Sequence, residues 1–346
     1  MVNGVDTPAD PTPAAHVDVL GRLTPDLIAA VTAVVDDATD ADGVRPLSEH
    51  VMLHLRYGGD EAARNLLLWH ASTLVGYAHL DTTDPVDGPS AEMVVAPAVR
   101  RQGFGRVLIG AALEQAHGAL RLWAHGGLAQ ATLMAEHLGF TRSRVLLQLR
   151  RSLFAPLPPV VLADGVTVRT FRPGVDDEAW LALNARAFAG HPEQGLWTMR
   201  DLHQRMAEQW FDPAGFFLAE KEIDGRRQLV GFHWTKVHGH HSHKERLVHA
   251  HGTEPTHSHT DEHGHEPIGE VYVVGVDPAA QGMGLGRQLT LVGLRHLRAL
   301  GLQQVMLYVD ESNAEAIRLY ESLGFSRWDI DVLFRHEYSA DEDVKA

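Results

Sequence analysis

The chain has 346 residues, 45% of them hydrophobic, and a formal net charge of −15, which is long enough for two domains with packed cores. That acidic balance argues against a general nucleic-acid or anionic-membrane surface, because such surfaces cluster Lys and Arg. Zero cysteines exclude disulfides, thiolate zinc sites and a cysteine nucleophile, as fits a reducing compartment. Residues 1–15 are polar and rich in Pro and Asp rather than basic and then apolar, and no 18-residue apolar run follows. A cytoplasmic protein without a membrane segment is expected.

In chain order, Thr24 and Pro25 read as an N-cap and first helical residue, predicting a helix to about residue 35. A second helix is predicted over 46–56. Strands are predicted at 65–69, 74–80 and 91–95. A helix after Gly103, a strand at 120–124, a helix ending near Leu138 and a strand at 144–149 complete a first unit. Residues 151–165, with Pro156, Pro158 and Pro159, read as a linker. A second series then begins, with a strand at 166–171, helices over 178–188 and 199–210, and strands at 216–220 and 229–237.

The stretch 269–325 carries the strongest pattern. Glu270-Val271-Tyr272-Val273-Val274-Gly275-Val276 suits a strand buried on both faces, and Asp277-Pro278 ends it. Next comes Gln281-Gly282-Met283-Gly284-Leu285-Gly286-Arg287, where glycines permit a tight turn and close approach of a ligand. Leu285, Leu289 and Val292 share one helical stripe, so this loop stands at a helix N-terminus, whose unpaired N–H groups attract phosphate. A pyrophosphate suits it. A Walker loop is excluded by the missing Gly-Lys-Ser/Thr, and a dinucleotide fingerprint by Leu289 at the third glycine position.

The same signature occurs earlier. Met93-Val94-Val95-Ala96-Pro97 leads into Arg101-Gln102-Gly103-Phe104-Gly105-Arg106, and a shift of 181 positions lays Pro97 on Pro278, Gly103 on Gly284 and Gly105 on Gly286. A shift of 185 lays Leu138-Gly139-Phe140 on Leu323-Gly324-Phe325. Two copies of one mixed α/β unit are therefore predicted, over 1–150 and 166–346 about the linker 151–165. The copies differ where the second has Asn313 and Tyr320, since the first has Leu128 and Ala135 there.

The Val-x-Pro and Q-x-x-G-x-G signature, with Leu307-Tyr308-Val309-Asp310-Glu311-Ser312-Asn313 and Leu319-Tyr320-Glu321-Ser322-Leu323-Gly324-Phe325, resembles the acetyl-CoA site of the GNAT family of N-acetyltransferases. The resemblance implies two tandem GNAT domains and Tyr320 as general acid toward the departing CoA thiolate. Its bland alternative is a core aromatic, because Ala316, Tyr320 and Leu323 share a helical stripe. A first unit lacking that donor is expected to be non-catalytic. Glu270 is either a strand-end carboxylate in water or a general base, since an α-amine of pKa about 8 is mostly protonated at neutral pH and must lose a proton before it attacks. Backbone N–H groups near Val274, Gly275 and Val276 are then expected to hold the thioester oxygen.

Over nearly its full length the chain also resembles the mycothiol synthase family of tandem GNAT enzymes. The marks are Asp42-Gly43-Val44-Arg45-Pro46-Leu47-Ser48-Glu49, Trp123-Ala124-His125-Gly126, Gly190-His191-Pro192-Glu193-Gln194-Gly195, Trp210-Phe211-Asp212-Pro213 and Gly231-Phe232-His233-Trp234-Thr235-Lys236-Val237. This resemblance implies transfer of acetyl from acetyl-CoA to the cysteinyl amine of desacetylmycothiol, a Cys-glucosamine-inositol conjugate. A monomer that binds neither nucleic acid nor membrane is expected. It implies substrate contacts at Glu49, Glu193, Lys236, Glu270 and Tyr308, each of which also reads as an ordinary surface polar residue. It implies acetyl-CoA contacts at Met93, Val94, Val95 and Arg101, Gln102, Gly103, Phe104, Gly105, Arg106 in the first unit. In the second they are Val274, Gly275, Val276, then Gln281, Gly282, Met283, Gly284, Leu285, Gly286, Arg287, then Asn313, Ala314, Glu315, Ala316, Ile317 and Arg318.

Residues 238–265 depart from that family's short turn, with ten histidines among Glu, Asp, Gly and Ser. A polar insertion without a core is expected there. Spacings such as His238-Gly-His240-His241-Ser-His243 are compatible with Zn²⁺, Ni²⁺ or Cu²⁺ but define no geometry, so no metal site is assigned. Competing functions are another GNAT reaction on a peptide or aminoglycoside amine, and a non-catalytic acyl-CoA- or metal-binding protein.

Overall fold

The structure is a computed structural model that describes residues 15–59, 62–84, 87–190, 192–239 and 267–337. In chain order the strands and helices of the first half are β1 (Ala15–Leu20), α1 (Pro25–Asp42), α2 (Glu49–Tyr57), β2 (Arg64–His70), β3 (Thr73–Asp81), β4 (Ser90–Val95), α3 (Phe104–Gln115), β5 (Leu120–Ala124), α4 (Ala129–His137) and β6 (Thr141–Ser152). The second half has β7 (Val166–Thr170), α5 (Asp177–Ala187), α6 (Pro192–Gly195), α7 (Met199–Met206), β8 (Phe216–Ile223), β9 (Arg226–His238), β10 (Ile268–Val276), α8 (Leu285–Ala299), β11 (Gln304–Asp310), α9 (Ala314–Ser322) and β12 (Ser326–His336).

Two compact units result, one holding the chain up to Leu146 and again from Asp329, the other Leu147–Trp328. The first unit orders its strands β1-β2-β3-β4-β5-β12. Its end differs from the expected 166–346 division, for a clear reason. Val332–His336 of β12 pairs antiparallel with Ala124–Leu120 of β5, and Val332 and Phe334 are thereby buried in the first unit's core. The second unit orders its strands β6-β11-β10-β9-β8-β7.

Local chemistry accounts for most element boundaries. Thr24 caps α1 by accepting from the Leu27 N–H, Pro25 occupies its first turn, and Gly43 closes it in the left-handed region at φ 70°. The helix expected over 46–56 begins later, because Ser48 caps it by accepting from the Val51 N–H. Strand β1 was not expected; its alternating Ala-His-Val-Asp-Val-Leu pairs along its whole length with β2. The expected linker carries no helix or strand over 153–165, yet it lies along α8: Val161 donates its N–H to Gln288 Oε1 at 2.7 Å and Arg295 donates to the Pro158 carbonyl at 2.7 Å.

The duplication holds at element level. Short 3-10 turns at Pro97–Val99 and Pro278–Ala280 precede α3 and α8, which start 181 positions apart, and the N-caps of α4 and α9, Leu128 and Asn313, lie 185 apart.

In the second unit β9 separates two cores. Phe232 and Trp234 join Trp180, Phe216 and Leu202 on one face, while the other packs on α8 through Leu285 and Leu289. His233 points to the α8 side, fully buried, and its Nδ1 donates to the Leu289 carbonyl at 2.7 Å. Its imidazole occupies the space a Cβ at Gly293 would need, so the strand and helix approach only because residue 293 is glycine. Gly293→Ala should therefore lower stability by about 1–3 kcal/mol through overpacking. A shift of the denaturant midpoint with an unchanged slope would register it.

Candidate active site

Strand β10 starts the site. It pairs with β9 along its length, but its parallel pairing with β11 is confined to Gly269↔Val305 and Glu270↔Met306. Beyond Glu270 the two strands part, and the β11-facing edge of β10, with Val274, Gly275 and Val276, turns to a gap instead of a ladder. Edge amides there can donate to a ligand oxygen. A bulge between Val271 and Val273 lies beside this divergence, and it re-aims side chains as bulges do.

Side-chain alternation then gathers the polar groups. Glu270 lies opposite Lys236 on β9 and opposite Met306 on β11, so Lys236, His238, Glu270, Met306 and Tyr308 share one face. Glu270 is 7% exposed, and His238 Nε2 lies 2.6 Å from its Oε2. Burial alone would raise the Glu270 carboxyl, but the hydrogen bond and charge of His238, with the charge of Lys236, hold it below the ordinary carboxylate range. The carboxylate is therefore ionised at neutral pH. Lys236 Nζ sits 4.6 Å from the Trp210 ring centre and 5.2 Å from that of Tyr272. Tyr272 in turn accepts from Arg205 Nε at 2.9 Å, which fixes this aromatic wall.

The expected acetyl-CoA elements follow on. Gly282 and Gly284 have φ of 80° and 69°, in the left-handed region that favours glycine. Gly284 is the N-cap of α8 and no side chain caps that helix, so the loop's amides suit an anionic phosphate. A Cβ at either glycine would meet nothing within 4 Å, which makes the loop open as well as turned. These residues fit a pyrophosphate. On α9, Asn313 caps the helix by accepting from the Ala316 N–H at 3.0 Å, and Arg287 donates to Ser322 Oγ at 2.7 Å. Tyr320 stands on that helix against Phe325, ring centres 5.7 Å apart, and burial pushes its phenol up to about 12. It is thus a protonated donor across the physiological range.

The first unit repeats the frame with different chemistry. Its β4 and β5 also pair only at Ser90↔Arg121 and Ala91↔Leu122, and its loop puts Arg101 at φ 66° where the second has Gly282. Gly103 caps α3 at φ 91° without a side-chain partner. The N-cap Leu128 makes no side-chain cap, and the position of Tyr320 holds the buried Ala135. Beside the parted strands, His125 sits between Glu92 at 3.3 Å and Asp331 at 3.1 Å. Burial opposes charge on this imidazole, but its bonds to Asp331 and Glu92 outweigh burial and raise it to about 10. Burial likewise opposes Glu92, which His125 and Ser48 nevertheless lower to about 2. Ser48 Oγ donates to Glu92 at 2.7 Å, not to His125, so this is a paired ion cluster and not a nucleophile with its base.

Among the expected substrate residues, Lys236, Glu270 and Tyr308 come together on one face, Glu49 opens α2 of the first unit, and the Glu193 side chain lies outside the described residues. His238 was missed as a site residue because it was read as the first member of the histidine run. Its signal was its place two residues after Lys236, on the same strand face. The remainder of that run, from 240 to 265, lies outside the described residues, among which no group of three or more His, Asp or Glu could hold a metal.

Comparison with known proteins bears on this geometry. The acetyltransferase (GNAT) family profile matches residues 178–325 and a GNAT domain profile matches 62–142. A mycothiol acetyltransferase of Acidothermus cellulolyticus is 62% identical over 92% of this chain and 94% of its own, and one of Streptosporangium roseum is 56% identical over 93% and 99%. The chain belongs to the mycothiol acetyltransferase family. Members are N-acetyltransferases that take acetyl from acetyl-CoA. The fold is shared more widely, with a tandem GNAT protein from the clavulanic acid pathway (TM-score 0.66, 17% identity, 95% of this chain and all of that one) and a GCN5-related N-acetyltransferase from Sphaerobacter thermophilus (0.61, 22%, 93% and 95%). No described helix is long and apolar enough to cross a membrane.

Because His238 helps keep Glu270 ionised, His238→Ala leaves burial less opposed and raises the carboxyl. The acid limb of kcat/KM should then move to higher pH in the variant, as measured in parallel pH profiles.

Proposed function

We propose that the second unit acetylates the cysteinyl amine of desacetylmycothiol, giving mycothiol and CoA. The observation that carries this is the buried, ionised Glu270, held between His238 and Lys236 where β10 and β11 part, in a chain with near full-length identity to mycothiol acetyltransferases. In this reading acetyl-CoA lays its pyrophosphate on the loop from Gln281 to Arg287 and its pantetheine along the gap, toward α9.

The acceptor enters as an ammonium of pKa about 8, attracted by the Glu270 carboxylate. Its proton passes to the Glu270 carboxylate and on to solvent, which leaves the nitrogen neutral. The neutral nitrogen attacks the thioester carbon, forming an N–C bond. The developing oxyanion is met by β10 amides near Val274, Gly275 and Val276. Collapse breaks the C–S bond, and Tyr320 gives its proton to the sulfur before recovering one from solvent. Lys236 and Tyr308 orient the rest of the acceptor. The first unit, with Ala135 at the acid's position and a closed ion cluster at the strand divergence, is assigned no turnover.

Release of CoA from acetyl-CoA and desacetylmycothiol tests this directly. Turnover by the parent should fall by about a hundredfold or more in Glu270→Gln and in Tyr320→Phe. No turnover by a parent that still binds acetyl-CoA would sink the assignment of the acceptor.

A further inference from the structure

In the stretch Gly231-Phe232-His233-Trp234-Thr235-Lys236-Val237 only Lys236 has a part in the reaction above, yet His233 is an ionisable group with no exposure at all. Burial lowers its imidazole to about 4, so the ring is neutral at physiological pH and carries one proton. That proton is on Nδ1, because Nδ1 faces the Leu289 carbonyl at 2.7 Å, while Nε2 has no partner among the described residues. An apolar ring would fill the same space without an orphaned nitrogen. What histidine adds is the bond to α8.

That bond belongs to a two-point fit between β9 and α8. Gly231 and His233 face the helix two residues apart, roughly 6.6 Å along a strand, and Leu289 and Gly293 face the strand four residues apart, about 6 Å along a helix. Each bare Cα receives a side chain from the other element: a Cβ at Gly231 would lie 2.8 Å from Leu289 Cδ1, and one at Gly293 would overlap the His233 ring. The matched spacings admit one register, since a one-turn slide of α8 in either direction brings Leu289 or Leu297 against the imidazole. Leu289 lies four residues after Leu285, where the helix begins, so the fit also sets the position of its N-terminus. The glycine loop ahead has no such support, because a Cβ at Gly282 or Gly284 would meet nothing within 4 Å.

The first unit has this frame without the peg. Its β3 and β4 pair as β9 and β10 do, with Ala78↔Met93 in the place of His233↔Val274, and α3 sets Leu108 and Ala112 where α8 has Leu289 and Gly293. Ala78 and Ala112 are buried in one core. Strand and helix of this fold therefore pack with two alanines, and the His–Gly pair belongs to the unit that carries Glu270 and Tyr320.

We infer that His233 is a positioning residue for acetyl-CoA: bonded to Leu289 and seated on Gly293, it fixes α8 so that the amides at its N-terminus hold the pyrophosphate in line with the open edge of β10. This rests on the reading that lays the pyrophosphate on residues 281–287.

The test uses the full chain, desacetylmycothiol as acceptor, and two donors, acetyl-CoA and S-acetylpantetheine, which has the thioester but no phosphate. His233→Ala combined with Gly293→Ala installs the first unit's packing and keeps the core filled. kcat/KM for acetyl-CoA should then fall by about tenfold or more, with kcat/KM for S-acetylpantetheine and the KM for the acceptor within about twofold of the parent. His233→Phe, which keeps a ring on Gly293 but removes the donor, should show the same loss. Parent-like use of acetyl-CoA by either folded variant, or an equal loss on both donors, overturns the positioning role and leaves the loop reading intact. A parent that uses both donors equally well overturns the loop reading and the inference with it. If the parent turns over neither donor, the acceptor reading fails, and calorimetry with acetyl-CoA decides the role of His233. A site weakened about tenfold by the double substitution supports it, and an unchanged isotherm overturns it.

Discussion

The parting of β10 from β11 immediately after Glu270 is the constraint on which the second unit depends. A parallel pair that continued would satisfy the edge amides of Val274 to Val276 within the sheet and leave no passage for a thioester. By stopping at Glu270↔Met306 the ladder sets the carboxylate at the mouth of the opening and the glycine loop at its far end. The bulge at Val271/Val273 serves the same geometry, and α8 begins where the phosphates are expected. The electrostatics follow from position. A buried carboxylate alone would take up a proton, and the neighbouring imidazole and ammonium keep it charged.

The first unit carries the same frame with other side chains at its opening. Its strands part at the same point and its loop turns in the same way, even at the cost of a left-handed Arg101. Yet the opening faces a carboxylate–imidazolium–carboxylate cluster that spends its charges on itself. The two units share the scaffold, while the positions of Asn313 and Tyr320 hold Leu128 and the buried Ala135, whose side chains can neither cap nor donate.

Much of this was legible in the sequence because the decisive features are local. The glycine loop, the Pro turn before it and the N-cap spacing on α4 and α9 depend on residues within a few positions of one another, and the two shifts of 181 and 185 match the helix starts. The placement of Glu270 on a strand and of Tyr320 on a helix was legible through the motifs around them. What escaped was non-local. No local pattern shows that Gln148 bonds to Tyr308 160 positions later, that His238 serves Glu270 rather than the histidine run, or that His125 is bracketed by Glu92 and Asp331. β1 was passed over because its alternation includes His16 and Asp18, whose polar side chains weaken an apolar signal.

The exchange of the terminal strand has a consequence for how the protein is made. The first unit's sheet includes β12, whose Val332 and Phe334 fill a core otherwise built from residues before 147. A ribosome that has delivered the first half of the message has therefore not delivered a whole first unit, which must wait, with part of its apolar interior uncovered, for the last strand to emerge. Folding in order of synthesis is denied to it. The proline-rich stretch between the halves joins two copies of one unit, yet it does not divide the chain into two separately closed sheets.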